Sequence, residues 1–243
     1  MDSRSEGAAP SVSIIIPARN EERLIAAALR SVIAQTYPGG LIECVVVDNA
    51  SSDHTACQAM KFAQEHPQFQ CQVVSEPVPG VGGAKNRGAR VAWGDVLVFL
   101  DADSRMEGNL VREIVSSWDG GCQVGSIRVL ADSGRLLDRS FFALMEVGKV
   151  ALGVRAQMLF CGRDLFLRLG GFNPELSLGE DVDFLKRARE HLGRSHSSVC
   201  HVRSSAIRTS PRRLQEGPLR LGMVRMFGRW ALAFLGIGRG RPY

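Results

Sequence analysis

The stretch Asp95-Val96-Leu97-Val98-Phe99-Leu100-Asp101-Ala102-Asp103-Ser104 decides how the rest of the chain is read. Val96 to Leu100 is an unbroken apolar run, short enough for a strand and apolar on both faces. That pattern belongs to a parallel strand covered by helices on either side. The run stops at two aspartates spaced i, i+2. In open α/β sheets ligands gather in the crevice beyond the carboxyl ends of the strands. A carboxylate pair placed there offers hard oxygen ligands for Mg²⁺ or Mn²⁺, which in turn can grip a diphosphate. Taken alone, an Asp-x-Asp at a strand end is more often an ordinary turn. The weight therefore falls on what the other strands end in.

They end in the same kind of residue. Val12-Ser13-Ile14-Ile15-Ile16 predicts a first buried strand, stopped by Pro17, with Asn20 as the N-cap of a helix running to about Gln35. Cys44 to Val47 predicts a second strand, ending in Asp48-Asn49-Ala50-Ser51-Ser52-Asp53-His54-Thr55 and a helix from Thr55 to Gln64. A third strand, Gln72 to Ser75, leads to Pro77–Gly88, read as a flexible Gly-rich loop opening a helix that reaches about Trp93. The order strand–helix repeated up to Leu100 predicts an α/β fold, a mostly parallel Rossmann-like sheet flanked by helices. Polar clusters after the first, second and central strands then share one edge of that sheet.

Beyond Ser104 the pattern predicts a helix at Asn109–Trp118, a strand at Cys122–Leu130, and one or two helices within Leu136–Ala156. Leu159 to Asp164 reads as a strand and turn, Leu165–Leu169 as a short helix, and Ser197–Val202 as a further strand. Gly80-Val81-Gly82 does not extend to a dinucleotide-binding fingerprint, because its third glycine position is Lys85 and it follows the wrong strand. Lys85 and Arg87 remain as counter-charges for phosphates, or as a solvated basic helix start. Glu180, Asp181 and Asp183 fall in the first turn of a helix, where acids are favoured by the dipole. One of them facing a cleft has the chemistry of a general base.

Composition narrows the setting. The 243 residues, 45% of them hydrophobic, suffice for one sizeable core. The six cysteines form no C-x-x-C pair, which argues against a structural zinc site and a stapled secreted scaffold and makes a reducing cytoplasm the expected compartment. No stretch has the form of a signal peptide or a bilayer-crossing helix. The net charge is +5, but residues 201–243 hold nine arginines and one acid, +8, leaving 5 − 8 = −3 for residues 1–200. A basic tail on an acidic body suggests an anionic surface as partner.

Six segments together resemble the family 2 glycosyltransferases of the GT-A fold. They are Ile15-Ile16-Pro17-Ala18-Arg19-Asn20-Glu21-Glu22, Val46 to Thr55, Gly83-Ala84-Lys85-Asn86-Arg87-Gly88, Leu100-Asp101-Ala102-Asp103, Gly170-Gly171-Phe172 and Gly179-Glu180-Asp181-Val182-Asp183. The resemblance covers about residues 11–195. It implies a nucleotide-diphosphate-sugar donor, Mn²⁺ or Mg²⁺, and inversion at the anomeric carbon. It places Pro17, Arg19 and Glu21 around the nucleoside, and Asp48-Asn49 against the base. The family's commoner pair there is two aspartates; Asn49 keeps an amide oxygen for a pyrimidine N3–H, so a UDP- or dTDP-sugar is favoured. Asp101 then lies near ribose or metal, Asp103 on the metal, and Asp181 matches the catalytic base. His201 is a candidate to complete the metal shell.

Residues 1–10 are expected to be a flexible N-terminus, 11–203 the catalytic domain, and 204–243 a basic amphipathic extension, helical in its apolar part. Within it, 219–235 has two readings: a helix lying on a membrane surface, with arginines at lipid phosphates, or one packed on the domain. The first would put the protein at the inner face of the membrane. No nucleic-acid partner is expected. Two other functions compete with sugar transfer: a non-catalytic nucleotide-sugar-binding protein, and a sugar-phosphate nucleotidyltransferase. The last wants a Gly-rich basic loop where Pro17 to Glu21 stands.

Overall fold

The computed structural model describes residues 9–151, 158–176, 178–193 and 199–212. Eight strands form one sheet in the order β3-β2-β1-β4-β7-β6-β8-β5. β1 (Val12–Ala18), β2 (Ile42–Asp48), β3 (Gln70–Ser75) and β4 (Val96–Phe99) run parallel, joined by α1 (Ile25–Ile33), α2 (Thr55–Glu65) and α3 (Val81–Val91). The second half is mixed. β5 (Ser104–Met106) and α4 (Leu110–Asp119) lead to β6 (Val124–Ala131), and α5 (Leu136–Ala151) follows. β7 (Leu159–Gly162) is antiparallel to both β4 and β6. α6 (Arg163–Arg168) and α7 (Glu180–Leu192) come next, and β8 (Val199–Thr209) returns parallel to β6.

The continuous apolar runs are explained by two cores, one on each face of the sheet. Ile14, Ile16, Val46, Val96 and Val98 face α1, α2 and α4 through Leu29, Phe62 and Ile114. Their sequence neighbours Ile15, Val45, Val47, Leu97 and Phe99 face α3, α6 and α7 through Ala84, Phe166 and Phe184. Successive side chains point to opposite faces, so a strand sandwiched between helices must be apolar at every position. The pairing Ala18↔Asp48↔Ser75 brings the ends of β1, β2 and β3 level.

Several expectations change. Asn20 does not cap α1, which begins at Ile25; Asn20 takes a left-handed conformation (φ 56°) and its Oδ1 accepts from Ser52 N at 2.8 Å, bracing the loop after β2. β5 went unread because three residues carry no periodicity. β8 is longer than the expected Ser197–Val202 and runs to Thr209, so residues 204–209 belong to the sheet and not to the tail. Its second half pairs with β5 and with the end of β6. Cys122 and Cys200 are joined in a disulfide (Cα–Cα 5.9 Å, 78 residues apart), a link the reducing compartment did not lead one to expect. Residues 219–235, most of 204–243, and residues 1–8 lie outside the described residues. No helix among the described residues is long and apolar enough to cross a membrane.

Candidate active site

The carboxyl ends of β1, β2 and β4 each deliver a polar segment to one rim. At the end of β2, Asp48 is half-buried, and its Oδ1 is a buried atom with no hydrogen-bond partner among the described residues. An orphan acceptor in a buried position is costly unless something donates to it. Asn49 beside it is fully engaged: Nδ2 donates to Glu76 O (3.1 Å) and Val78 O (2.7 Å), and Oδ1 accepts from Gly80 N (2.8 Å). The amide expected to meet a base thus ties down the loop that starts α3. Pro17, the penultimate residue of β1, and Arg19, just beyond it, are half-buried at the same rim. Glu21 is buried, its backbone N–H donating to Thr55 Oγ1 at 2.7 Å.

Around Lys85 the structure gathers charges from three elements. Lys85 is buried on α3, its Nζ 2.9 Å from Glu180 Oε1 and 2.9 Å from Asp181 Oδ1 at the start of α7. The ring of Phe172 lies 5.0 Å from the same ammonium, a cation–π contact. Burial alone would lower the lysine's pKa, but attraction from Asp181, Glu180 and Asp101 overrides it and the group stays charged. Asp101, just past β4, therefore shares the electrostatic neighbourhood of Asp181. The two carboxylates diverge. Burial pushes Asp181 up to about 6, with Lys85 opposing and Glu180 and Asp101 adding to the rise. For Glu180 burial also raises the pKa, but Lys85 wins and holds it below its ordinary value.

The Gly-Gly-Phe turn explains how α7 is aimed. Asn86, next to Lys85, accepts from Phe172 N at 2.8 Å and donates to Phe172 O at 2.8 Å. A Cβ on Gly171 (φ 72°) would lie 2.5 Å from Asn86 Oδ1, so only glycine fits. Phe172 then packs on Phe99, Phe166 and Phe184 with ring centroids 4.9–5.3 Å apart. Asp183, the third acid, turns away to Arg187 (2.8 Å), which also caps Leu169 O and Gly171 O. Sequence reasoning missed Asn86 and the pairing of Lys85. The signal lay in the adjacency Lys85-Asn86 on one helix turn ahead of a Gly-Gly-Phe turn.

Asp103 occupies a second cluster. Its side chain is 7% exposed, with Ser104 Oγ at 3.3 Å, Thr209 Oγ1 at 3.4 Å and Arg212 Nη2 at 3.8 Å. Arg212 also pairs with Glu21. Arg87 is half-buried on α3, two positions and about 200° around the helix from Lys85. His201 is corrected: it sits in β8 with Nδ1 2.9 Å from Ser126 Oγ and Nε2 3.8 Å from Glu146 Oε2. The residue of β8 that touches Asp103 is Thr209, which pairs with Ala131 of β6 where His201 pairs with Ser126, five residues and roughly 16 Å farther along the sheet. His201 therefore leaves the metal set.

Among the described residues no three His, Cys, Asp or Glu side chains form a ready metal cage. The remaining carboxylates nevertheless suit a hard cation. The partners of Asp103's carboxylate oxygens, at 3.3, 3.4 and 3.8 Å, are at the long end of hydrogen-bond or ion-pair range, and Mg²⁺-type ions are commonly held by one or two carboxylates plus substrate phosphates.

The family model of glycosyl transferase family 2 matches residues 13–142, a little over half of the chain. The probable glycosyltransferase YdaM of Bacillus subtilis is 32% identical over 196 residues, 73% of this chain and 46% of that protein. Among solved structures, the mannosyltransferase PcManGT from Pyrobaculum calidifontis, in complex with GDP-Man and Mn²⁺, is 27% identical with a TM-score of 0.63, over 80% of this chain and 57% of that one. TarS 1-349 of S. aureus, in complex with UDP, shares the fold at 20% identity and a TM-score of 0.64, over 82% of this chain and 60% of that one. The chain spans about half the length of the curated relatives it matches.

Proposed function

Because the chain belongs to glycosyl transferase family 2, we propose that it moves a sugar from a nucleotide-diphosphate donor to an acceptor hydroxyl with inversion, Asp181 acting as general base. The observation that carries this reading is the convergence of Asp101, Lys85, Glu180 and Asp181 beside the Asp103 cluster. Carboxylates more than seventy residues apart in sequence meet at one rim.

The division of labour follows from the two carboxylates on Lys85. Glu180 is the more deeply buried and is held ionised, which suits an anchor. Asp181 is the more open of the pair, with a side chain 17% exposed, and its Oδ1 takes Lys85 while Oδ2 makes no bond to described residues. A carboxylate with pKa about 6 is a stronger base than an ordinary aspartate and still mostly ionised at neutral pH. It accepts the acceptor's hydroxyl proton as that oxygen attacks the anomeric carbon. One displacement needs no covalent nucleophile.

At the donor end, Asp48 Oδ1 offers an unfilled acceptor to an N–H on a base, a place the N3–H of uracil or thymine would fill. Pro17, Arg19 and Glu21 border the nucleoside, with Asn49 acting through the loop it braces. Mn²⁺ or Mg²⁺, held by Asp103 with Asp101 near it, supplies charge neutralisation for the departing diphosphate. Arg212 adds a guanidinium at that place. A peripheral membrane contact through 219–235 belongs to the same reading.

The test is release of nucleoside diphosphate from a panel of UDP- and dTDP-sugars by the full chain with Mn²⁺. Turnover is expected to fall by about a hundredfold or more in Asp103→Ala and Asp181→Asn. Wild-type rates in both variants would overturn the assignment, and binding without turnover on any acceptor would favour a non-catalytic binder.

A further inference from the structure

Glu21 and Asp103 follow different strands, and the protein places a cation of its own between them. Arg212 follows the end of β8, which is fixed to the site by Ser210 N donating to Asp103 O at 3.0 Å and by Thr209 Oγ1 against Ser104 Oγ at 2.6 Å. From there Nη2 pairs directly with Glu21 Oε1 and stands 3.8 Å from Asp103 Oδ2. Both acids are 7% exposed, whereas the arginine is 39% exposed. The arrangement is lopsided: the guanidinium is committed to Glu21 and only leans on Asp103.

We infer that Arg212 is the resident counter-ion of the Glu21–Asp103 pair and makes divalent-cation binding at Asp103 conditional on a nucleoside diphosphate. The inference rests on the donor-site reading above and adds an order of binding to it. A divalent ion arriving alone at Asp103 meets a fixed positive charge within 4 Å of the same carboxylate, and finds too few protein oxygens to complete its shell. A diphosphate arriving with the ion removes both obstacles. Its oxygens fill the shell, and they offer the exposed arginine a bidentate anionic partner that draws it off Asp103. Because linkage is reciprocal, the ion must raise diphosphate affinity by the same factor. A merely structural tie between β8 and β1 would cost stability when removed and leave ion affinity unchanged.

The experiment titrates Mn²⁺ into the full chain and follows the free-ion electron paramagnetic resonance signal, with and without UDP. The wild type is expected to bind Mn²⁺ weakly alone and at least about fivefold more tightly with UDP, the lower end of ordinary coupling. Arg212→Gln is expected to tighten binding of Mn²⁺ alone and to shrink the UDP-dependent gain, while Arg212→Lys, which keeps a charge, stays near the wild type without UDP. Equal Mn²⁺ affinity with and without UDP in the wild type overturns the inference even if no variant folds. So does an unchanged affinity for Mn²⁺ alone in a folded Arg212→Gln, and in both cases the donor-site reading survives. Failure of the wild type to bind Mn²⁺ even with UDP sinks both.

Discussion

Lys85→Met is the sharpest perturbation the structure offers, because one ammonium serves two buried carboxylates. In the wild type Nζ sits 2.9 Å from an oxygen of each, with 6% of the lysine side chain and 10% and 17% of the partners' exposed. Methionine fills nearly the same volume, so the packing against Phe172 persists and the loss is electrostatic. Removing one member of a buried ionic cluster costs about 3–5 kcal/mol, since the charges left behind are no longer compensated. For a chain of this length each kcal/mol moves the melting temperature by roughly 2–4 °C, so a fall of about 6–20 °C is expected. The pH dependence identifies the cause. Without the lysine both acids have folded-state pKa values above their unfolded ones, so the folded state binds more protons and stability falls as pH rises. The penalty is therefore full at pH 7 and shrinks toward pH 4, near the ordinary carboxylate pKa. The wild-type lysine, with its pKa raised, keeps its contribution throughout that window, losing it only in strong alkali. The assay is urea denaturation of both proteins at several pH values. Adding Glu180→Gln and Asp181→Asn to Lys85→Met should restore most of the stability by removing the orphaned charges. A penalty under about 1 kcal/mol, or one independent of pH, would refute the reasoning.

Two further outcomes follow from the same geometry. The acidic limb of kcat/KM against pH should fall off below about 6, the value to which burial pushes Asp181, because the base must be ionised. Asp181→Asn should lose that limb along with about 10²–10⁴ of the rate. Two glycines on α3 should respond to alanine in opposite directions, read by melting temperature. At Gly88 a Cβ would meet Ile15 Cγ2 at 2.5 Å and Val47 Cγ2 at 3.0 Å. That crowding, about 1–3 kcal/mol, outweighs the ~1 kcal/mol gain in helix propensity. At Gly83 nothing lies within 4 Å, and Gly83→Ala should stabilise by up to about 1 kcal/mol.

Most of the parallel half was legible because β1, β2 and β4 are buried on both sides. Ile14, Ile15 and Ile16 face two different cores, and that shows in the sequence as an uninterrupted apolar run. The mixed half was harder to read. β5 is three residues long, and β8 carries exposed Arg203 and Ser204 in mid-strand where its register with β6 shifts, so its polar stretch looked like the start of a tail. Asn20 shows a local rule yielding to a long-range one. Its chemistry suits a helix cap, but Ser52, brought alongside by the β1–β2 pairing, takes its oxygen instead.

The candidate site divides along the same line. Chemistry that depends on which residues are present, the acids of Asp101-Ala102-Asp103 and of Glu180-Asp181 and the glycines that let backbone turn tightly, is written in the order of the letters. Chemistry that depends on who stands beside whom is not. That Lys85 meets Glu180 and Asp181 across ninety-five and ninety-six positions, that Arg212 closes on Glu21 and Asp103, and that His201 meets Ser126 and Glu146 was decided by sheet register and helix packing. The reason is range: turns, caps and burial patterns act over a few residues, whereas a charge feels whatever the folded chain brings within a few ångströms.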